Sequence, residues 1–428
     1  MPRDLRWNSE AGSDGMFNAC EGKSVCGVIQ VEPTREGETH ECVDLCYESN
    51  EGCIVNDPEL FRNDTEELKH RYMYQDLQGT CLQYLPSAYP HQSTAAARAA
   101  AKLRRQIERT QALAGAEACK GHRVVIAKDR PDAGMGVKLI HLATNLAFAT
   151  SKGFAFTAGA DFLSDFVDAE RCGSIQAGRV NIFCYLEPFT PCASDDAAVH
   201  VAVNIGGLAK MVPTFTMDEE PEYVSLGGFW FEAQVLNYMW RLTPAVRDYI
   251  SKKRAEINWN DWRGAPVLKG GEGGVLGMHV RRGDSCKYDR YCPPLNVSYH
   301  KLALEFKRKY RVTKVFMATD DQAAIDECET WEEFDCRGFQ LDRSVYEYDD
   351  REFFEVRSRH AMNGAQRYAA AMDFFADLDT LAECDYFVGL FSSIMSRIAY
   401  ELMFARKGMH VPFASIQWPL AHTNGAIN

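Results

Sequence analysis

The sequence predicts an α/β protein in which two parallel-sheet layers face each other across a ligand cleft. In the last third of the chain, short apolar segments alternate with longer helical patterns, and this alternation is typical of a doubly wound parallel sheet. A second strand–helix–strand pattern begins at Arg123 and predicts another, less regular α/β layer. The predicted organisation is an arm that is Cys-rich and helical (1–115), a first α/β domain (116–265) and a second, Rossmann-like domain (266–428).

The bulk composition limits the possible classes of function. At 428 residues the chain is long enough for two or three hydrophobic cores. Its net charge of −13 argues against a nucleic-acid partner, which would require a basic surface. A local basic pocket for an anionic ligand is compatible with that net charge.

The fifteen cysteines predict a disulfide framework in an oxidising compartment. None of their spacings is CxxC, and no histidine lies at finger-like spacing near them, so a zinc site is not favoured. Glycosylation sequons at Asn63 and Asn296 support secretion modestly. The odd count leaves at least one thiol unpaired. Thirteen of the cysteines form four groups along the chain: Cys20, Cys26, Cys42, Cys46, Cys53 and Cys81; Cys172, Cys184 and Cys192; Cys286 and Cys292; Cys328 and Cys336.

The cysteines predict an oxidising compartment, but the first residues of the chain do not show a signal peptide. No apolar stretch approaches 18 residues, and Met1–Asn18 lacks the basic and apolar regions of a signal peptide. We therefore expect no membrane segment in the chain as given. Either the N-terminus is incomplete or the protein is cytosolic with reduced thiols, and we favour the first interpretation.

The first half of the chain contains one clear strand–helix–strand unit. Before it, residues 58–78 and 94–114 have helical patterns that predict a solvated arm. Val124–Ala127 is a predicted strand, and the segment DAGMGVKLIH after it is a loop that leads into a helix. Gly134 and Gly136 in that loop let the backbone approach a ligand at the helix N-terminus. Such a pair also eases an ordinary tight turn, so the signal is weak by itself.

The remaining elements follow from hydrophobic periodicity. A helical pattern over Phe229–Arg254 breaks at Thr243–Pro244, where a cap residue precedes a proline. Trp259 and Trp262 mark a linker, and the acidic segment 342–355 is a predicted loop. Strands are predicted at Phe154–Thr157, Gly274–Val280, Lys314–Ala318 and Tyr386–Leu390, and helices at about 298–309, 322–330, 362–384 and 394–407.

The segment VLGMHVRRGD at Val275–Asp284 carries the strongest functional signal. It is a predicted buried strand that ends in His279 and two adjacent arginines, Arg281 and Arg282. A buried strand delivers side chains to the crevice at the carboxyl edge of an open parallel sheet. Two cations placed there require an anionic partner, so a phosphate or carboxylate ligand is one interpretation. A structural Arg–Asp pair at the strand end is the other.

Two further strand ends point to the same crevice. Ser392 and Ser393 begin the last helix, where free backbone N–H groups and the helix dipole favour an anion. Together with an arginine of the neighbouring strand, they predict a diphosphate site that needs no metal. Asp320 and Asp321 follow another strand and could hold Mg²⁺, although a helix N-cap is the commoner role of such a pair.

Taken together, these motifs resemble the α1,6-fucosyltransferase family, which includes the core fucosyltransferase of N-glycans and the rhizobial Nod-factor enzymes. The similarity covers roughly residues 120–405 and includes the helical segment Gly228–Lys252. Four motifs carry it in the family's order: GMGVKLIH at 134–141, HVRRGD at 279–284, VFMATDD at 315–321 and FSSIMSRIAYELM at 391–403. The resemblance implies a GT-B-like fold of two facing Rossmann-like domains, a GDP-fucose donor, no metal and inversion at the sugar carbon.

The resemblance also implies roles for individual residues. Arg281 would hold the β-phosphate, where charge develops as GDP leaves, with support from Arg282 and Asp284. His279 and Asp377 match residues that contact guanine, and a carboxylate can accept from both the ring N–H and the amino group that adenine does not offer together. For Asp377 a helical surface position is the alternative. Further donor contacts are implied for Ser392, Ser393, Gly134, Gly136, His141, Asp320 and Asp321.

An inverting transfer needs a base that takes the proton of the acceptor hydroxyl. By the resemblance, this acidic residue is Asp289, and the predicted catalytic set is Arg281, Asp289 and Lys287. The chain departs from the family's pattern nearby. Asp289 is shorter than the usual glutamate, Ser285 replaces a lysine and Ile394 replaces a polar residue.

The predicted function is therefore the transfer of fucose from GDP-fucose to a glycan, by the resemblance α1,6 to an N-acetylglucosamine. The alternatives are a related fucosyltransferase for a protein hydroxyl or another polysaccharide, and a glycan- or GDP-binding relative without turnover. The expected partners are GDP-fucose, a glycan or glycoprotein acceptor, and a second copy of the chain through the N-terminal helices. The resemblance to the family implies that the protein is located in the Golgi lumen.

Overall fold

A computed structural model gives the fold of most of the chain beyond residue 93. The described residues are 30–31, 41–42, 94–113, 119, 122–129, 133–172, 181–192, 199–201, 221–265, 267, 273–282, 294–343, 362–390, 393–408 and 411–416. The predicted helix at 58–78 and most of the predicted acidic loop at 342–355 lie outside these residues.

The helices follow the predicted periodicity closely. They are α1 Thr94–Gln111, α2 Met135–Ser151, α3 Ala169–Cys172, α4 Pro221–Met239, α5 Pro244–Glu256, α6 Trp259–Arg263, α7 Tyr299–Tyr310, α8 Gln322–Glu329, α9 Gly364–Leu381 and α10 Ile394–Lys407, with 3-10 turns at Ser164–Phe166 and Ile182–Cys184. Within the described ranges, none is both long and apolar enough to cross a membrane.

The strands belong to three sheets. They are β1 Gln30–Val31, β2 Glu41–Cys42, β3 Arg123–Ala127, β4 Ala155–Ala158, β5 Val199–Val201, β6 Val275–Val280, β7 Lys314–Thr319, β8 Asp335–Arg337, β9 Tyr386–Gly389 and β10 Phe413–Ser415. Strands β1 and β2 form an antiparallel pair. The larger sheets are parallel, with the orders β4-β3-β5 and β10-β9-β6-β7-β8. The prediction of two parallel α/β layers is thus confirmed.

Strand β6 lies at the centre of the five-stranded sheet. The chain runs outward from β6 through β7 to β8 and then returns to β9 on the other side, which places the topological switch point between β6 and β9. All six residues of β6 are buried. Leu276, Met278 and Val280 pack in one apolar cluster. On the opposite face, a Cβ on Gly277 would lie 3.2 Å from the Leu381 side chain, so the end of α9 packs directly on the strand.

The first sheet packs against α2. One face of this helix is apolar, and Leu139, Leu142 and Leu146 are buried in the core. Gly153 follows the helix with a φ of 66°, so the predicted glycine stop is observed. In the first turns of α2, the Lys138 amine is fully buried and pairs with two carboxylates, as a buried charge must. These are Asp129 Oδ2 at 2.8 Å and Asp165 Oδ2 at 3.1 Å.

Helix α4 packs against helices of both parallel-sheet layers. It contacts α1, α2 and α10. Arg254 of α5 donates to Asp379 at 3.0 Å and to Glu383 at 2.8 Å, in and just after α9. The predicted linker contains the short helix α6, and its Trp262 donates to Asp335 at 2.6 Å. The division of the chain near residue 265 stays a prediction.

Three disulfides lie within the described residues. They join Cys119 to Cys192, Cys172 to Cys184 and Cys328 to Cys336. Cys192 pairs outside its predicted group, with a partner 73 residues earlier. Among these residues Cys384 is a free thiol, and burial raises its pKa far above the usual value. The predicted disulfide framework is therefore supported.

Candidate functional site

The candidate site lies at the carboxyl ends of β6, β7 and β9, around the switch point. Arg281 and Arg282 directly follow β6, and Asp320 and Asp321 directly follow β7. Ser393 precedes the first residue of α10 and occupies the N-cap position, as predicted, although its side chain makes no capping hydrogen bond. Parallel strands present these residues at one edge of the sheet, which is where open α/β proteins bind ligands.

The two arginines pair with the two aspartates. The Arg281 guanidinium donates to Asp320, whose other oxygen accepts from the backbone N–H of Arg282 at 2.8 Å. Arg282 Nε lies 3.3 Å from Asp321 Oδ2. The structural Arg–Asp pair, one of the two interpretations of this motif, is thus present. The arginine side chains nevertheless keep 22% and 24% of their surface exposed, so both remain partly accessible from solvent.

Asp321 also caps a helix. Its Oδ1 accepts from Ala323 N at 3.0 Å at the start of α8. This is the N-cap role that the sequence favoured over a magnesium ligand. Among the described residues, no three His, Cys, Asp or Glu side chains come together as a metal site.

His279 is held in the interior of the crevice. The ring is buried, and its Nδ1 lies 2.5 Å from Ser396 Oγ on α10. The same hydroxyl accepts from Leu390 N at 3.1 Å, so Ser396 joins the ends of β6 and β9. Burial lowers the pKa of His279 to about 4, with Asp320 opposing the shift and Arg281 reinforcing it. The imidazole is therefore neutral at physiological pH.

Asp377 is a buried carboxyl group on α9. It is 5% exposed, and its Oδ1 has no hydrogen-bond partner within the described part of the chain. Burial raises its pKa to about 8, Arg343 opposes this shift and Asp373 adds to it. Because it is buried, the surface interpretation of Asp377 is wrong. A buried acceptor without a partner costs free energy, so it is a candidate for binding a ligand that donates hydrogen bonds.

The level of Asp377 along the sheet follows from the helix geometry. Leu381 packs over Gly277, and α9 approaches the amino edge of the sheet as it ends, since Asp385 N donates to Val275 O at 2.8 Å. Asp377 is one helical turn before Leu381, about 6 Å nearer the carboxyl edge. His279 is two strand residues beyond Gly277, also about 6 to 7 Å nearer that edge. Ideal helix and strand geometry thus predicts similar levels along the sheet for Asp377 and His279.

The glycine loop of the first layer meets α10. Gly134 precedes α2 and Gly136 lies in its first turn. A Cβ on Gly136 would lie 3.1 Å from Ile394 Cγ2, in the first turn of α10. Because Ile394 follows Ser393 directly, the predicted facing loop is beside the N-terminus of α10. Gly136 allows a close approach at this point, which is one reason for a glycine here.

Replacing Gly136 by valine is expected to separate this loop from α10. A β-branched side chain cannot fit against Ile394 without a shift of either backbone, so we expect at least about a tenfold loss of nucleotide affinity. Gly136→Ala adds only the Cβ and should have a smaller effect. Affinity for GDP, the ligand that the motif resemblance implies, would be measured by calorimetry, with Val137→Ala as the control in the same turn. Wild-type affinity in Gly136→Val would show that the loop does not contribute.

Several predicted site residues are not tested by the structure. Asp284, Lys287, Asp289 and Ser392 lie outside the described residues. His141 is in the packed interior of the first layer, where it stacks on Phe162 and its Nε2 lies 3.3 Å from Asn145 Nδ2. Its contact with the donor stays a prediction.

Two residues of the site were not predicted from the sequence. Ser396 is three positions after Ser393, on the helix turn that faces His279, and this spacing was a usable signal. Arg343 is 4% exposed and donates to Thr319 O at 3.0 Å, at the carboxyl end of β7. It lies in an acidic segment with no periodicity, so no local pattern marks it.

The sheet order and the position of the crevice define the class of open α/β proteins that bind ligands at a switch point. Within that class, residues 209–416 match the family described as Alpha-(1,6)-fucosyltransferase N- and catalytic domains. The match covers slightly less than half of the chain, and the resemblance recognised from the motifs is confirmed. The glycine loop at 134–136 lies outside the matched residues.

Individual relatives are distant. The chain is 24% identical over 182 residues to the Alpha-(1,6)-fucosyltransferase of Drosophila melanogaster, which is 41% of this chain and 25% of that protein. It thus spans about a quarter of the length of this curated relative. Among solved structures, it is similar to fucosyltransferase NodZ from Bradyrhizobium at 14% identity, with a TM-score of 0.35 and coverage of 65% and 92% of the two chains. It is also similar to POFUT1 in complex with GDP-fucose, at 13% identity and a TM-score of 0.35, with coverage of 70% of this chain and 99% of that chain. Neither likeness is close enough to assign an activity.

Proposed function

We propose that this protein transfers fucose from GDP-fucose to a glycan acceptor. The observation that carries the proposal is Asp377, a buried carboxyl whose Oδ1 has no partner among the described residues. Its helix, α9, packs on the face of β6 that carries Gly277 and His279. Guanine offers a ring N–H and an amino group side by side, which together satisfy one carboxylate. The family match over residues 209–416 supports fucose as the sugar.

The diphosphate would bind between the arginines and α10. Arg281 and Arg282 are at the end of β6, and the N-terminus of α10 begins at Ser393 beside β9. Guanidinium groups donate two parallel hydrogen bonds to phosphate oxygens, and a helix N-terminus adds free N–H groups. As the bond from fucose to the β-phosphate breaks, negative charge grows on that phosphate, and Arg281 would stabilise it.

The finer assignments extend this proposal. We assign the acceptor as an N-acetylglucosamine of an N-glycan joined through α1,6 linkage, and the base as Asp289. A base that deprotonates the hydroxyl on the side opposite the leaving GDP gives inversion. We further propose that the two cations replace a metal ion, and that the protein works in the secretory pathway, where its disulfides persist.

Transfer would be measured with the full chain, labelled GDP-fucose and a panel of N-glycans, chitooligosaccharides and peptides. We expect label on an N-glycan, release of one GDP per fucose transferred, and unchanged rates in EDTA. Label on peptides or chitooligosaccharides alone would replace the acceptor assignment. GDP binding without label on any acceptor, and without GDP release, would identify a binding protein that lacks turnover.

A further inference from the structure

Arg343 is a buried cation at the carboxyl edge of the five-stranded sheet. Its guanidinium donates to Thr319 O at 3.0 Å, to Phe339 O at 3.0 Å and to Gln322 Oε1 at 2.6 Å. These acceptors belong to the end of β7, to the segment after β8 and to the first residue of α8. A single side chain therefore fixes the turn that connects β7 to α8.

That turn carries the residue that holds Arg281. Asp320 lies between Thr319 and Gln322, accepts from the Arg281 guanidinium and accepts from Arg282 N. A displacement of the turn would move Asp320 and, with it, both arginines. Arg343 would therefore act on the two arginines through the turn.

The positive charge of Arg343 also acts on the carboxyl groups of α9. Its positive charge favours the ionised form of Asp377 and of Asp373 one turn earlier. The other charged or titratable groups that act on this pair are Lys253 and Tyr249 of α5 and Asp342 beside Arg343. The Tyr249 hydroxyl donates to Asp373, whereas Asp377 Oδ1 has no partner among the described residues.

We propose that Arg343 is a positioning residue of the donor site, which aligns the Arg281–Asp320 pair through the β7–α8 turn and acts through its charge on Asp377 of α9. This inference rests on the proposed function and adds a residue that couples its two halves. Asp377 on α9 would bind guanine, and Arg281 and Arg282 at the end of β6 would bind the diphosphate. Arg343 is the described side chain that acts on both groups.

The second role matters because Asp377 must accept two hydrogen bonds. Only the ionised carboxylate can accept from both N–H groups of guanine, since the protonated acid donates at one oxygen. Burial raises the pKa of Asp377 to about 8, against which Arg343 acts. GDP binding should therefore strengthen as the pH rises toward 8. Without the guanidinium, that rise should move to higher pH.

The test measures GDP affinity between pH 6.5 and 9.5 and turnover at one pH, in the full chain. Arg343→Gln removes the charge and keeps one donor. It should raise the pH midpoint of GDP binding by about one unit and lower kcat at least about tenfold. Arg343→Lys keeps the charge but cannot reach three acceptors, so it should lower kcat and leave the midpoint near that of the wild type. Asp373→Asn removes an opposing charge and should shift the midpoint downward.

The outcomes separate the inference from the proposed function. Wild-type protein that does not bind GDP would overturn the proposed function. If the wild type binds GDP and Arg343→Gln has the same pH midpoint of GDP binding to within roughly 0.2 pH units, the electrostatic role alone would be overturned. Unchanged kcat in Arg343→Lys would overturn the positioning role, and this variant decides that point even if Arg343→Gln does not fold.

Discussion

Asp377→Asn is expected to raise the stability of the unliganded protein while abolishing its preference for GDP. Burial holds the pKa of the Asp377 carboxyl at about 8, far above the ordinary value of 3.8. At pH 7 the unfolded chain ionises this group and the folded chain keeps it protonated, so it opposes folding. Asparagine has no such cost and a similar shape. We expect a gain on the order of a few kcal/mol in the free energy of unfolding.

The sign of this effect can be checked against pH. Because the folded-state pKa is raised, the contribution of Asp377 to stability falls as pH rises from about 4 to about 8 and is constant above that. The difference between Asp377→Asn and the wild type should therefore be small at pH 4, grow up to pH 8 and then stay constant. Urea unfolding at a series of pH values measures it. A purely structural aspartate would give a destabilised variant at every pH.

Asp379 on the same helix is the matched control. Burial alone would raise its pKa, but Arg406 and Arg254 outweigh burial and lower it. Asp379→Asn removes the carboxylate's charge from these pairs at 2.6 Å and 3.0 Å and should destabilise the protein. Affinity for GDP, ADP and UDP in both variants completes the test. Stabilisation with GDP selectivity retained would contradict the role of Asp377 in reading the base.

The fold was predictable because its strands are short, apolar and separated by capped helices. The break at Thr243–Pro244 and the stop at Gly408 occur where the sequence places them. The short strands β5, β8 and β10 have three residues each, and β8 is the polar segment Asp335–Arg337. Their place in the sheet depends on pairing with a neighbour, such as Phe316 with Arg337. Local pattern does not contain that information.

The candidate site was predictable where one motif meets one strand end, and not where distant segments meet. The pairing of Arg281 with Asp320 joins residues 39 positions apart. The sequence did not decide between a structural Arg–Asp pair and an anionic ligand. Asp377 was identified by resemblance, whereas its burial depends on how α9 lies over β6. Arg343 was missed because its three acceptors come from three separate segments. Long-range proximity, which periodicity does not encode, is the common cause.

Arg281→Ala is expected to abolish turnover and leave the fold intact. In the proposed function the guanidinium holds the β-phosphate, where negative charge would grow, and the loss of one such donor typically lowers kcat by about 10²- to 10³-fold. Within the described part of the chain, Asp320 would lose the Arg281 guanidinium and keep the Arg282 N–H. A carboxylate left behind in this way would also repel the donor, so we expect a loss of at least about 10³-fold in kcat/KM.

A second variant separates the missing cation from the unpaired carboxylate. Arg281→Ala combined with Asp320→Asn removes the repulsion, so GDP affinity should recover in part while kcat stays low. Arg281→Lys keeps the charge but not the two parallel donors, and it should retain a small fraction of kcat. Arg308→Ala is the control, because Arg308 is an exposed arginine of α7 that pairs with Glu305 in the same helix. Recovery of kcat in the double variant would show that repulsion by Asp320, and not loss of the clamp, had stopped the reaction. Persistent loss of kcat with restored binding would assign the guanidinium to the transition state, because only an interaction made there lowers kcat without lowering affinity for the ground state.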